Sequence, residues 1–229
     1  MLLIHGDNII QSRQFLTDQL TQAKTASKEI HHLLATTLQL KDLTSLVGTA
    51  SLFGGERLIV IEELHSLPKS TKKEELIAAI AKIEDPGTEL ILWEKRALTP
   101  TMLKKFTGAK VQEFKTSNTL FKWLDTLNGQ KRNHSQQLEL FHQTVQTDGE
   151  FMCFSMLARQ IRLLIQVKEG SKVAGPPFVV TKLKRQADTF SLDQLLKIHQ
   201  HLHDFDVKQK TSTNALSLEK DLDLLFLNL

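Results

Sequence analysis

The sequence predicts an α/β module on a five-stranded parallel sheet, followed by an all-α domain. Short apolar runs at Leu2 to His5, Leu58 to Ile61 and Glu89 to Trp93 alternate with stretches whose apolar residues recur three and four apart. That alternation builds a parallel sheet covered by helices on both sides. From about Asn128 no strand pattern remains and helical periodicity runs on. A chain of 229 residues is long enough for two modest domains, each with its own core. The expected division is 1–127 for the α/β module and 128–229 for the helical domain.

Leu2 to His5 reads as a short buried strand, and Gly6-Asp7-Asn8 as a turn that caps a helix carrying Ile9, Leu16, Leu20 and Ala23. Glu29 to Leu34 is the second strand, although His31 and His32 lie inside it. Asp42 to Ala50 puts Leu43, Leu46, Val47 and Ala50 on one helical face. Leu58 to Ile61 is apolar throughout and suits a central strand. A helix over Thr71 to Ile83 aligns Leu76, Ile80 and Ile83, and Asp85-Pro86-Gly87 is a turn before the fourth strand, Glu89 to Trp93. Thr99-Pro100 opens a short helix that Gly108 ends, and Ala109 to Phe114 alternates as the fifth strand. Ser117 caps a helix bearing Leu120, Phe121, Leu124 and Leu127.

In the second half, Leu138, Phe141 and Val145 mark one helix, and Asp148-Gly149 separates it from the longest apolar one. There Phe151, Phe154, Ala158, Ile161 and Ile165 share a face that Leu157 and Leu164 widen. Pro176-Pro177 starts a helix carrying Val180, Leu183 and Ala187, and Ser191 with Gln194 forms a capping-box pattern ahead of Leu195, Ile198, Leu202 and Phe205. Leu218, Leu222, Leu225 and Leu229 form the last helical face.

Composition excludes several classes. The formal charge of +3 permits contact with nucleic acid without arguing for it. The single cysteine, Cys153, sits in an apolar run, so it reads as a core residue and rules out a disulfide framework within the chain. The start of the chain lacks a basic region and no stretch has the length of a membrane span, so the expectation is a soluble cytoplasmic protein. Nucleotide hydrolysis is not expected. Gly6-Asp7-Asn8-Ile9 offers one glycine and no lysine where a phosphate loop needs several glycines, a lysine and a hydroxyl, and Glu62 stands where a magnesium-binding aspartate would follow the central strand. His199 and His203 share a helical face without a matching carboxylate, which favours a solvated edge over zinc, so no metal site is assigned. Arg159, Arg162, Lys182, Lys184 and Arg185, with Lys168 and Lys172 nearby, are candidates for contact with DNA or a neighbouring subunit, against a solvated face. No catalytic arrangement of Ser/His/Asp or Cys/His type is present, and no cofactor is assigned.

The stretch Ser51-Leu52-Phe53-Gly54-Gly55-Glu56-Arg57, leading into Leu58-Ile59-Val60-Ile61, joins two different features. The preceding helix already has its buried side, and the glycine pair permits a sharp change of direction. Leu52 and Phe53 therefore read either as a staple between helix end and sheet or as an exposed apolar prong. This stretch resembles the corresponding one in the delta subunit of the bacterial DNA polymerase III clamp loader. The resemblance continues through Leu90 to Lys95, Gly108 to Phe114, Leu120 to Leu124, Ser155 to Lys168, Pro176 to Ala187 and the helix start at Phe190-Ser191-Leu192.

The resemblance implies an AAA+-like module that has lost nucleotide binding, a prong at Leu52 and Phe53 that enters an apolar pocket on the sliding clamp, and a helical collar domain. It implies the beta clamp, the gamma/tau and delta prime subunits and primer-template DNA as partners, and a non-catalytic place in the polymerase holoenzyme. One departure stands out. Members of the family carry a lid of several tens of residues between the two parts, whereas Phe121 to Leu124 is followed here almost at once by collar-like helices. The rival reading is a scaffold or nucleic-acid-binding protein on the same inactive module.

Overall fold

The computed structural model describes residues 1–48, 56–83, 85–129, 134–213 and 216–227. They form two compact units, Met1–Thr116 and Ser117–Leu229.

In the first unit the chain runs β1 (Leu2–His5), α1 (Ile9–Thr25), β2 (Glu29–Leu34), α2 (Leu40–Gly48), β3 (Arg57–Glu62), a 3₁₀ turn (Leu64–Ser66), α3 (Thr71–Ala81), β4 (Thr88–Trp93), α4 (Pro100–Leu103) and β5 (Lys110–Glu113). All five strands are parallel, in the order β2-β3-β4-β1-β5. Every residue of β3 is buried, as its apolar run predicts for a central strand. Its alternate side chains divide between two cores. Ile59 and Ile61 join Leu43, Leu76 and Ile80 of α2 and α3 on one face. Leu58 and Val60 join Leu16 and Ala23 of α1 on the other. β2 lies at a sheet edge and is only partly buried, which is why a strand there accommodates two histidines.

Local caps follow the sequence. The Asn8, Ser70, Thr99, Ser117 and Ser191 side chains each accept a backbone N–H of the helix they precede. At Ser191 the capping box is complete, because the Ser191 N–H also donates to Gln194 Oε1 at 2.8 Å.

The second unit contains α5 (Asn118–Thr126), α6 (His134–Asp148), α7 (Glu150–Lys168), α8 (Pro177–Asp188), α9 (Leu192–Lys210) and α10 (Leu218–Leu227). The expected boundary at 127/128 thus differs from the division at Thr116 and Ser117. The reason is packing. Trp123 of α5 lies against Phe141 of α6 at 5.2 Å between ring centroids and against Phe226 of α10 at 5.6 Å, so α5 shares the helical core.

A second difference concerns α7. Of the expected face, Leu157, Ile161 and Leu164 are buried, joined by Met152 and Cys153, while Phe154, Ala158 and Ile165 are half-buried and Phe151 is 49% exposed. Helical spacing allows the face to turn by one residue, and contact with α8 and α9 centres it on the Cys153 side. Cys153 is fully buried, and desolvation pushes its thiol up to about 12, the environment of an inert core residue.

Candidate functional site

The turn between β1 and α1 is where a doubly wound sheet would bind phosphate. Here the protein's own groups occupy it. Asn8 is fully buried, and its Oδ1 accepts the Gln11 N–H at 3.1 Å, a donor an anion would otherwise use. The Asn8 N–H is directed to Phe114 O at 3.0 Å. Asp7 Oδ1 accepts the Ala97 N–H at 3.5 Å and adds negative charge. At the end of β1, His5 is buried, and desolvation lowers its pKa against the opposing pull of Glu113 and Glu94. Its Nδ1 accepts the Leu98 N–H at 3.3 Å, so the imidazole is a neutral structural acceptor.

Glu62, the last residue of β3, is 4% exposed. Arg13 of α1 reaches its Oε1 at 2.6 Å, and His32 of β2 makes a short contact with the same oxygen. The Arg13 guanidinium also lies over the Trp93 ring, 3.6 Å from its centroid. The residue at the magnesium-binding position is thus a clamp joining α1, β2 and β3. Burial alone raises the Glu62 pKa, but the bonds from Arg13 and His32 outweigh it and hold the carboxyl below its ordinary value of 4.5.

A carboxyl depressed in the folded state contributes stability that is present above its unfolded pKa and lost as pH falls through the folded one. Wild type is therefore expected to lose stability relative to Glu62→Gln as pH drops below about 4.5. Urea unfolding of both proteins from pH 7 to pH 3 measures this; a constant difference would show that the clamp does not titrate.

Sequence reasoning missed a second buried polar group. His65 and Glu94 have side chains only 5% and 3% exposed, with His65 Nδ1 2.9 Å from Glu94 Oε1. The same oxygen accepts the His65 N–H at 2.9 Å. Lys73 is buried beside them and donates to His65 O at 2.7 Å and Leu67 O at 2.8 Å. In sequence these residues carry no shared spacing, since the turn after β3 and the end of β4 meet only through the sheet.

The basic candidates all lie in the second unit and are exposed. The structure does not gather them. Lys182 and Arg185 line one cleft, Lys184 lines a second with Lys172, and Arg162 lines a third with His199, His203 and Asp206. Arg159 stands elsewhere on α7. Among the described residues no group of three His, Cys, Asp or Glu side chains is placed to hold a metal ion. Leu52 and Phe53 lie outside the described residues, as do Ser51, Gly54 and Gly55. What bounds that stretch is described: α2 ends at Gly48, and Glu56 pairs with Lys28 at 2.8 Å ahead of β3. Among the described residues no helix is long and apolar enough to cross a membrane.

Residues 117–227 match the family described as DNA polymerase III delta subunit, C-terminal domain. No curated protein matches the chain. Among solved structures, the chain is similar to the DNA clamp loader delta protein of Bacillus subtilis, at 15% identity and a TM-score of 0.48, covering 99% of this chain and 94% of that one. It is also similar to domain III of the Thermotoga maritima replication initiation protein DnaA, at 13% identity and a TM-score of 0.37, covering 99% and 82% of the two chains. The family match begins at Ser117, where the all-α unit itself begins. The second unit is thus similar, over residues 117–227, to the carboxy-terminal domain of the DNA polymerase III delta subunit.

Proposed function

We propose that this chain is a non-catalytic delta-type subunit of the DNA polymerase III clamp loader, which binds the sliding clamp and favours its open form. The observation that carries the reading is the family match over residues 117–227. The first unit supports it as an AAA+-like module without nucleotide chemistry: Asn8 caps α1 where a phosphate would bind, and Arg13 and His32 engage Glu62.

In this reading Leu52 and Phe53 enter an apolar pocket on the clamp. A binding subunit opens a ring only through differential affinity for the open and closed states. Burying the two side chains supplies about 3–6 kcal/mol before association costs. The helical unit joins the gamma/tau and delta prime subunits, and ATP is bound and hydrolysed by neighbouring subunits, whose state controls access to the prong. In the assembled complex Arg159, Arg162, Lys182, Lys184 and Arg185 face either primer-template DNA or neighbouring subunits, in the cytoplasm.

The test is binding to the sliding clamp of the same organism by surface plasmon resonance, for wild type and for Leu52→Ala/Phe53→Ala. The double variant is expected to weaken binding by about 100-fold or more with its circular dichroism unchanged. Equal binding by the two proteins, or none by wild type, would remove the prong and favour a scaffold role.

A further inference from the structure

The helical unit contains a cleft of 410 Å³ lined by the end of α5 with Leu127 and Asn128, by Gln136 and Gln137 of α6, and by α8 with Thr189. Its hydrogen-bonding groups are unevenly used. Several acceptors are already engaged: Asp125 is paired with Lys182, and Gln186 Nε2 donates to Leu124 O at 2.7 Å and Leu127 O at 3.0 Å. Donors are left over. Arg185 is exposed and makes no ion pair among the described residues. Gln137 is 5% exposed, and its Nε2 is buried without a hydrogen-bond partner among the described residues. A buried amide donor is costly to leave unpaired, and native structures rarely do so without reason.

Two cations against one carboxylate leave the lining with a single net positive charge. A monoanionic acceptor complements both the charge and the surplus donors. The shape narrows the choice further. A carboxylate on a side-chain stem projects into a cleft and reaches a buried amide, whereas a phosphodiester is flanked by two sugars and suits cations ranged along an open surface.

We propose that this cleft receives an aspartate or glutamate side chain of a partner protein, with the Arg185 guanidinium holding the carboxylate and the Gln137 amide donating to it. Arginine matches a carboxylate with a planar two-donor fork, which lysine does not. The site stands whether or not Leu52 and Phe53 engage a clamp, and its test contains no clamp.

The full-length protein, labelled with nitrogen-15, is titrated separately with a capped hexaglutamate peptide, an oligothymidylate of equal length and inorganic phosphate, reading the side-chain signals of Gln137 and Arg185. The peptide is expected to shift both signals saturably, and the other two probes to leave them in place. Arg185→Gln is expected to weaken peptide binding about tenfold, while Lys172→Gln, which removes a cation lining a different cleft, changes it less than twofold. Gln137→Leu removes the unpaired donor, so it is expected to keep or raise the melting temperature while weakening the peptide. The proposal is overturned by absence of a saturable shift or by equal shifts with oligothymidylate or phosphate. Equal losses in Arg185→Gln and Lys172→Gln, or unchanged peptide binding in Gln137→Leu, overturn it as well.

Discussion

Gly6→Ala is expected to cost the α/β unit about 3 kcal/mol or more, among the largest effects of any single methyl group in the chain. Gly6 has φ +133°, and a Cβ built there lies 2.0 Å from the backbone oxygen of Phe114 and 2.6 Å from its carbonyl carbon. Backbone cannot rotate aside as a flexible side chain does. The same Phe114 is held from both directions, donating to His5 O at 2.8 Å and accepting from Asn8 N at 3.0 Å. Admitting a methyl group therefore means breaking the junction between β1 and β5 or shifting the start of α1.

The two tryptophans make the measurement direct, because Trp93 lies in the first unit and Trp123 in the second. In a Trp123→Phe background, urea unfolding followed by Trp93 emission reports the α/β unit. Gly108→Ala is the control, with φ +80° and nothing within 4 Å of the added Cβ. Its cost is expected to be only the left-handed backbone penalty, about 1–2 kcal/mol. Equal losses in the two variants would mean that backbone conformation, not the collision with Phe114, sets the value of Gly6.

Trp123→Ala is expected to destabilise the helical unit by about 3–5 kcal/mol. Trp123, Phe141 and Phe226 are all fully buried and form a three-ring cluster, with the Phe141 and Phe226 rings 5.2 Å apart. The cluster ties α5, α6 and α10 together, so deleting its largest member leaves a cavity where three helices meet. The indole Nε1, however, is buried without a hydrogen-bond partner among the described residues. Trp123→Phe loses volume but also removes that unpaired donor, whose burial costs about 1–3 kcal/mol. Its net effect is expected to be less than half that of Trp123→Ala. Thermal unfolding by circular dichroism separates the variants, and a phenylalanine variant as unstable as the alanine one would refute the account of the unpaired indole.

Much of the fold was legible because its signals are local. β-branched apolar runs marked the strands, Ser117, Thr99 and Ser191 marked helix starts through side chains acting within three residues, and the apolar character of β3 announced its central place. The candidate sites were less legible. Leu52 and Phe53 were found through a resemblance, and periodicity alone left them open between staple and prong. Glu62 was noticed for the metal ligand it is not, while its role as a clamp depends on Arg13, 49 positions away in sequence.

By itself, then, the sequence determined the α/β-then-helical order of the chain and the caps that start its helices, since period and capping act over a few residues. Tertiary structure decided that the buried face of α7 is turned toward Met152 and Cys153 and away from Phe151, that α5 belongs with the helical core, and that Lys182 and Arg185 share a cleft while Lys184 does not. The physical reason is the same in each case. Helical spacing allows several faces, and only contact with other elements, through the volume of rings such as Trp123 and Phe141 and the pairing of buried polar groups such as Gln186, selects among them.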